Sequence, residues 1–435
     1  MIEKKYKTIC PLPWLHIGAN SNGSGNICCY AGDGEKYYLK DNTGKLLLWK
    51  NFKNIQEYYN SENYKQIRQE MLNDQRPVKC AYCFDQEDHG VQSIRKQFLR
   101  KYRDDMSELI ANTNADGSID NPQISFLDME MGNKCNLKCR MCSPIHSYAL
   151  GKDWELMDRS FKNDEFEKIY KDKWYASPQF FSLLREVLPS LKVLRMTGGE
   201  PMLIKEHEQI LEMIIEAGHS DHIWLKYNSN QTVIPQKILN LWKYFQQVDF
   251  NCSIEAYGKL NDYIRYPSKW KNQEKNMHIL DEFSYENKSV SIFIHSTLQA
   301  YNITRVPEFL NYLCSTKFKS IFRFPYFIWN KIPEWLSPCI YPQSFRNRIA
   351  DRILNSLDKH EDFFFSYNKE AHKEKFHKDW TYKRINHLRG FCEMIRNESE
   401  QERFFKKFIQ ETKKYDKLRN QSVTKVLPEL KQFFN

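Results

Sequence analysis

No stretch of this 435-residue sequence approaches the roughly 18 apolar residues that a membrane-spanning helix needs, so no membrane association is expected. The first residues, Met-Ile-Glu-Lys-Lys-Tyr-Lys, are polar and reach Cys10 without an apolar core, so no secretory signal is expected either. Internal repeats, low-complexity tracts and proline-rich linkers are also lacking, which argues against solenoids and fibrous arrays. Neither sign of charge dominates: 65 Lys and Arg stand against 55 Asp and Glu, a net +10 that is mild for this length. A nucleic-acid surface is therefore a lesser reading than a lysine-rich solvated one. Cysteine is not scarce. Twelve are present, and without a secretory signal they do not read as a disulfide framework. A cytoplasmic chain with reduced thiols available for metal is the expectation.

Hydrophobic residues make up 41% of the chain, enough for a sizeable core, and the length predicts two or three domains. Residues 108–123, rich in Asn, Asp, Gly and Ser, read as a turn-rich connection. From 124 onward short apolar runs recur at 124–131, 191–196, 222–227, 247–254, 289–297 and 320–327. Amphipathic stretches separate them, for example 202–217 and 304–315. Strand and helix in alternation predict parallel β/α units. The fold class expected is α/β: a partial (β/α)6 TIM-type barrel, with a small N-terminal cysteine-rich α+β domain and a C-terminal helical extension. The boundaries predicted are 1–107, 121–342 and 343–435. The charged face of the last segment reads as solvated.

Cys135, Cys139 and Cys142 form the spacing C-x3-C-x2-C directly after the first of these strands. Three thiolates can hold three irons of a [4Fe–4S] cube and leave the fourth iron open for chemistry. A zinc site needs a fourth ligand, and His146 is near enough in sequence to keep that alternative. In such folds the chemistry gathers at the C-terminal ends of the strands, where this loop lies.

The second predicted strand ends in Met196-Thr-Gly-Gly-Glu-Pro-Met202. With the cysteine spacing, this resembles the radical S-adenosylmethionine (SAM) superfamily over about residues 124–340. Gly198, Gly199, Glu200 and Pro201 match its GGEP motif, and the resemblance implies that they receive the amino group of SAM. Tyr227-Asn228-Ser229-Asn230-Gln231-Thr232 is similar to another strand end of the family. Ser253 and Arg265 match positions that reach the ribose and carboxylate of SAM. Met141 departs from the pattern, since the residue before the third cysteine is usually aromatic there. The resemblance implies reductive cleavage of SAM to a 5′-deoxyadenosyl radical that abstracts hydrogen from a substrate. It also implies a reductant such as flavodoxin or ferredoxin.

Cys10, Gly23 and Cys28 give C-x12-G-x4-C, and Cys80-Ala-Tyr-Cys83 supplies a further pair. On spacing alone four such cysteines suit a zinc ribbon or a closed [4Fe–4S] site. The glycine spacing resembles the opening of the SPASM/twitch auxiliary-cluster domain of radical SAM proteins, here in the shorter twitch form and placed before the barrel. Cys29 competes with Cys28 as a ligand. The function implied is a SAM-dependent oxidoreductase acting on a small molecule or carbohydrate with the help of one auxiliary [4Fe–4S] cluster. A peptide- or protein-modifying maturase is the alternative, and a zinc-stabilised nucleic-acid-binding protein is the competitor from another class. Aromatics between 154 and 185 could stack on a sugar or peptide, though a core role is the expectation. Cys339 could face the site.

Overall fold

A computed structural model describes residues 6–28, 38–41, 43–88, 93–157, 163–330, 332–371, 378–398 and 400–434. Its eight strands are β1 (His16–Ala19), β2 (Gly25–Asn26), β3 (Phe126–Glu130), β4 (Val193–Thr197), β5 (Trp224–Ser229), β6 (Gln247–Ser253), β7 (Val290–Leu298) and β8 (Phe322–Trp329). They form one open sheet in the order β2-β1-β3-β4-β5-β6-β7-β8. The last six fall where the alternation predicts them. The sheet is that of a partial TIM-type α/β fold followed by helices.

By internal contacts the chain divides into two compact units. The first holds Met1–Lys134, Asn163–Lys226 and Tyr244–Gln246; the second holds Cys135–Lys162, Tyr227–Lys243 and Gln247–Asn435. In the first unit β1 pairs parallel with β3, His16 opposite Phe126, and β2 returns antiparallel along β1. The N-terminal segment thus adds two strands to the sheet. Neither shows the alternation that marks a half-buried strand: β1 is buried at all four positions and β2 is two residues long. β4 follows β3 in parallel, Glu130 opposite Thr197.

The aromatics before β4 are core. Trp174 is buried between Trp49 and Phe180, with ring centroids at 6.1 and 5.4 Å. The helix Pro178–Val187 that follows starts where Ser177 accepts from the Phe180 N–H and proline occupies the first turn.

In the second unit β6, β7 and β8 run parallel. The helix Val306–Ser315 buries Val306, Phe309, Leu310 and Leu313, the apolar stripe legible in the sequence. Three long helices follow: Gln343–Ala371, Lys378–Asn397 and Phe405–Arg419. Their charges are not all solvated. Arg346, Arg384, Glu411 and Arg419 are buried. Among the described residues no helix is long and apolar enough to cross a membrane.

Candidate functional site

In the first unit, β4 ends in a turn that lies on the backbone leading out of β3. The Met131 N–H donates to the Thr197 carbonyl, Gly199 N–H to Gly132 O at 2.9 Å, and Glu200 N–H to Lys134 O at 2.9 Å. Lys134 is the residue before Cys135 in the chain. Both glycines are required. Gly198 has φ +122°, and a Cβ there would meet Met131 N at 2.7 Å. A Cβ on Gly199 would fall 2.2 Å from the Lys134 carbonyl oxygen, which is backbone and cannot swing aside. Glu200 is buried, and one carboxylate oxygen accepts from the Met202 N–H at 3.1 Å, opening the short helical turn Pro201–Leu203.

The second unit holds the C-x3-C-x2-C loop. It is irregular, and its backbone is held from outside. Lys138 N–H donates to Tyr266 O at 2.6 Å, Arg140 N–H to Ile264 O at 2.9 Å, and the Ser147 hydroxyl to Leu137 O at 2.6 Å. The Asn230 amide, just past β5, donates to Asn136 Oδ1 at 3.0 Å and approaches Cys135 Sγ at 3.7 Å. Cys139 is buried; Cys135 and Cys142 are half-buried. The thiol of Cys142 interacts with its two cysteine neighbours in the loop. Hydrogen bonding to Cys142 lowers the Cys139 thiol, and the Cys139 partnership with burial raises that of Cys142, with Cys135 adding to the rise. Among the described residues no three His, Cys, Asp or Glu side chains are grouped as ligands of a single ion. A cubane takes each thiolate on a different iron and so needs a wider set.

Arg265 stands beside this loop. Its Nη1 lies 3.8 Å from Cys139 Sγ and its Nη2 2.6 Å from Glu255 Oε1, while its Nε has no partner among the described residues. Glu255 is buried, follows the end of β6, and also accepts from the Thr297 N–H. Burial pushes its carboxyl above the usual range, against the pull of Arg265. Asn302 braces the pair by donating to Glu255 O and Thr297 O. Ser253 is the last residue of β6, opposite His295 in the register. Gln231 follows Asn230 with φ +42°, a left-handed conformation unusual for a non-glycine residue, and its buried amide has no partner at either atom among the described residues. Glu255 and Gln231 were within reach of the sequence only as members of strand-end segments; nothing local marks Glu255 as the partner of Arg265. Cys339 is fully buried and donates to Met394 O, so it packs rather than facing the loop.

The N-terminal cysteines converge in the first unit. Cys10, Cys28, Cys80 and Cys83, from three segments, line one cavity of about 30 Å³ with Arg95 on its wall. Arg95 is fixed by ion pairing with Glu87 and by donating to the carbonyl of Ile9, the residue before Cys10. Burial pushes the Cys10 thiol up and that of Cys80 to about 12. Thiolates are soft ligands, so any metal taken up by these four side chains would first have to displace their protons. Cys29 and Gly90 lie outside the described residues.

Comparison with known proteins bears on the same segment. Residues 129–300 match the family described as the Radical SAM superfamily. No curated protein matches the chain. Solved structures to which it is similar include native anSMEcpe with bound AdoMet and Cp18Cys peptide, at 18% identity and TM-score 0.36, covering 55% of this chain and 60% of that one. Streptococcus suis SuiB bound to precursor peptide SuiA is similar at 13% identity and TM-score 0.33, covering 73% and 67%. TYW1 with a lysine-pyruvate adduct is similar at 12% identity and TM-score 0.28, covering 52% and 72%. This chain therefore spans about three fifths of the length of the anSMEcpe structure. Residues 129–300, about two fifths of the chain, thus carry the match to the radical SAM superfamily, and they contain both the cysteine loop and the Gly-Gly-Glu-Pro turn.

Proposed function

We propose that this chain is a SAM-dependent oxidoreductase that removes hydrogen from a small molecule or carbohydrate. The family implies SAM and a [4Fe–4S] cluster. In this reading Cys135, Cys139 and Cys142 hold three irons, and Gly198, Gly199, Glu200 and Pro201 receive the amino group of SAM. Ser253 and Arg265 take its ribose and carboxylate. The unpartnered Nε of Arg265 supports that role, because a buried guanidinium proton without an acceptor is costly unless a ligand supplies one. When bound, the cluster and SAM supply a 5′-deoxyadenosyl radical. The protein's part is aim and exclusion of water: the turn after β4 fixes the backbone that enters the cysteine loop, and Arg265 donates toward the Cys139 sulfur. That turn, hydrogen-bonded to Gly132 and Lys134 immediately before Cys135, is the observation that carries the reading.

Cys10, Cys28, Cys80 and Cys83 would hold an auxiliary [4Fe–4S] cluster, which suits a net two-electron oxidation of substrate. The test is composition and variant analysis of anaerobically purified protein. The unaltered chain should be brown, absorb near ~400 nm and carry roughly eight irons. Cys83→Ala should lose about half of them, keep SAM cleavage and lose product formation, assayed on a panel of sugars, alcohols and peptides. Colourless protein with about two zincs would instead support the nucleic-acid competitor. Gly199→Ala tests the cradle. The clash with Lys134 O should weaken SAM binding at least about tenfold in an equilibrium assay, equivalent to about 1.4 kcal/mol. Unchanged binding would remove the turn from the SAM site.

A further inference from the structure

Two side chains of the cysteine loop are tied to the helix Phe405–Arg419, Arg140 directly and Lys138 through Asp153. Arg140, the residue after Cys139, is fully buried. Its Nη2 donates to Asp416 Oδ1 at 2.7 Å and to Gln421 Oε1 at 2.9 Å, and its Nε to Tyr263 O at 3.1 Å. The guanidinium lies 3.7 Å from the Tyr263 ring centroid and 5.2 Å from that of Tyr415. Asp416 also accepts from the Tyr263 hydroxyl at 2.7 Å and from the Val423 N–H at 2.6 Å. A second tie is parallel. Lys138 Nζ pairs with Asp153 Oδ1 at 2.7 Å, and Asp153 Oδ2 accepts two bonds from the buried Arg419. Asp416 and Arg419 are both on the helix Phe405–Arg419.

We infer that this C-terminal helix holds the cysteine loop in its ligating shape, with Asp416 and Arg419 as positioning residues. The physical basis is desolvation. A loop without a hydrogen-bonded ladder has many conformations, and a buried arginine is tolerable only where its charge is met. Asp416 meets the charge of the buried Arg140, so that burial fixes the backbone that follows Cys139. The Lys138 tie fixes the other side of the same cysteine. Cys139 is thus held between a direct tie from Arg140 to Asp416, 276 residues away, and an indirect one from Lys138 through Asp153 to Arg419. The inference deepens the reading of 135–142 as a cluster-binding loop and rests on it.

The test compares Asp416→Asn with the unaltered full-length protein. Hydrogen exchange of the metal-free chains is read first. Peptides spanning 135–142 should exchange at least tenfold faster in the variant, while those of β6 to β8 keep their rates. In reconstituted protein the variant should drop from roughly eight irons to about four and lose the change that SAM induces in the electron paramagnetic resonance of the reduced cluster. Combining it with Arg140→Gln should cost less than the sum of the two single changes, because the Arg140–Asp416 contact is shared. If Asp416→Asn does not fold, Lys138→Met, whose ammonium is part-exposed, is read in the same way with a smaller expected change. Unchanged exchange in 135–142, or acceleration spread evenly over the sheet, overturns the inference. An unaltered chain that takes up no iron overturns the cluster reading instead, and the exchange measurement still decides the role of the helix.

Discussion

Cys142→Ala should reduce 5′-deoxyadenosine formation to the level of a control without protein, measured under reducing conditions with SAM. This is the largest effect expected for any single change. A [4Fe–4S] cube held by three thiolates has no spare ligand, and two thiolates from one irregular loop do not retain it. The thiol of Cys142 also interacts with both Cys139 and Cys135, so its loss removes the member that joins the set. Iron content separates this outcome from general damage. About half of the iron should remain if the four N-terminal cysteines hold their own cluster. Cleavage at the unaltered rate would show that the 135–142 loop is not the site of SAM chemistry.

Glu255→Ala should lower the unfolding free energy by roughly 3–5 kcal/mol, the range found when one partner of a buried ion pair is removed. Glu255 and Arg265 are both buried, and they meet at 2.6 Å. Alanine leaves Arg265 with one weak acceptor, the Cys139 sulfur at 3.8 Å, and leaves the Thr297 N–H without its carboxylate. Glu255→Gln keeps the shape and an acceptor oxygen, so its loss should be smaller. Denaturant unfolding of the two variants measures the difference. A loss under about 1 kcal/mol for the alanine variant would place the pair among those dominated by solvent. The reduction potential of the cluster supplies a second readout. Hydrogen bonds to cluster sulfurs raise the potential, so an Arg265 released from Glu255 should change it.

The strands from β3 onward were legible because each is an apolar run between amphipathic helices, the pattern a parallel sheet imposes. β1 was not legible. Its four residues, His16-Ile-Gly-Ala, are buried on both faces and include a histidine whose pKa burial lowers to about 4. Nothing in that tetrapeptide signals a strand until β3 is available to pair with it. The cysteine loop and the Gly-Gly-Glu-Pro turn were legible because their chemistry depends on residues a few positions apart. The surroundings of Arg265 were not. The family resemblance implies a role for it toward a SAM carboxylate, and the fold adds the Cys139 sulfur and Glu255 as neighbours.

The charged C-terminal helices show the same limit. Asp416 and Arg419 look like solvated residues in a lysine-rich segment, and the helical pattern gives no sign of burial. The convergence of Cys10, Cys28, Cys80 and Cys83 lies between these extremes, with spacing that allows one site and a fold that lines one cavity with all four.

By itself the sequence determined the α/β class, the spacing of the loop cysteines and the strand-end turn, because periodicity and motif spacing act within a few residues. Only the tertiary structure decided which charges are buried and what meets them. A buried charge requires a partner wherever the chain can bring one, and for Arg140 that partner comes from the last helices of the protein.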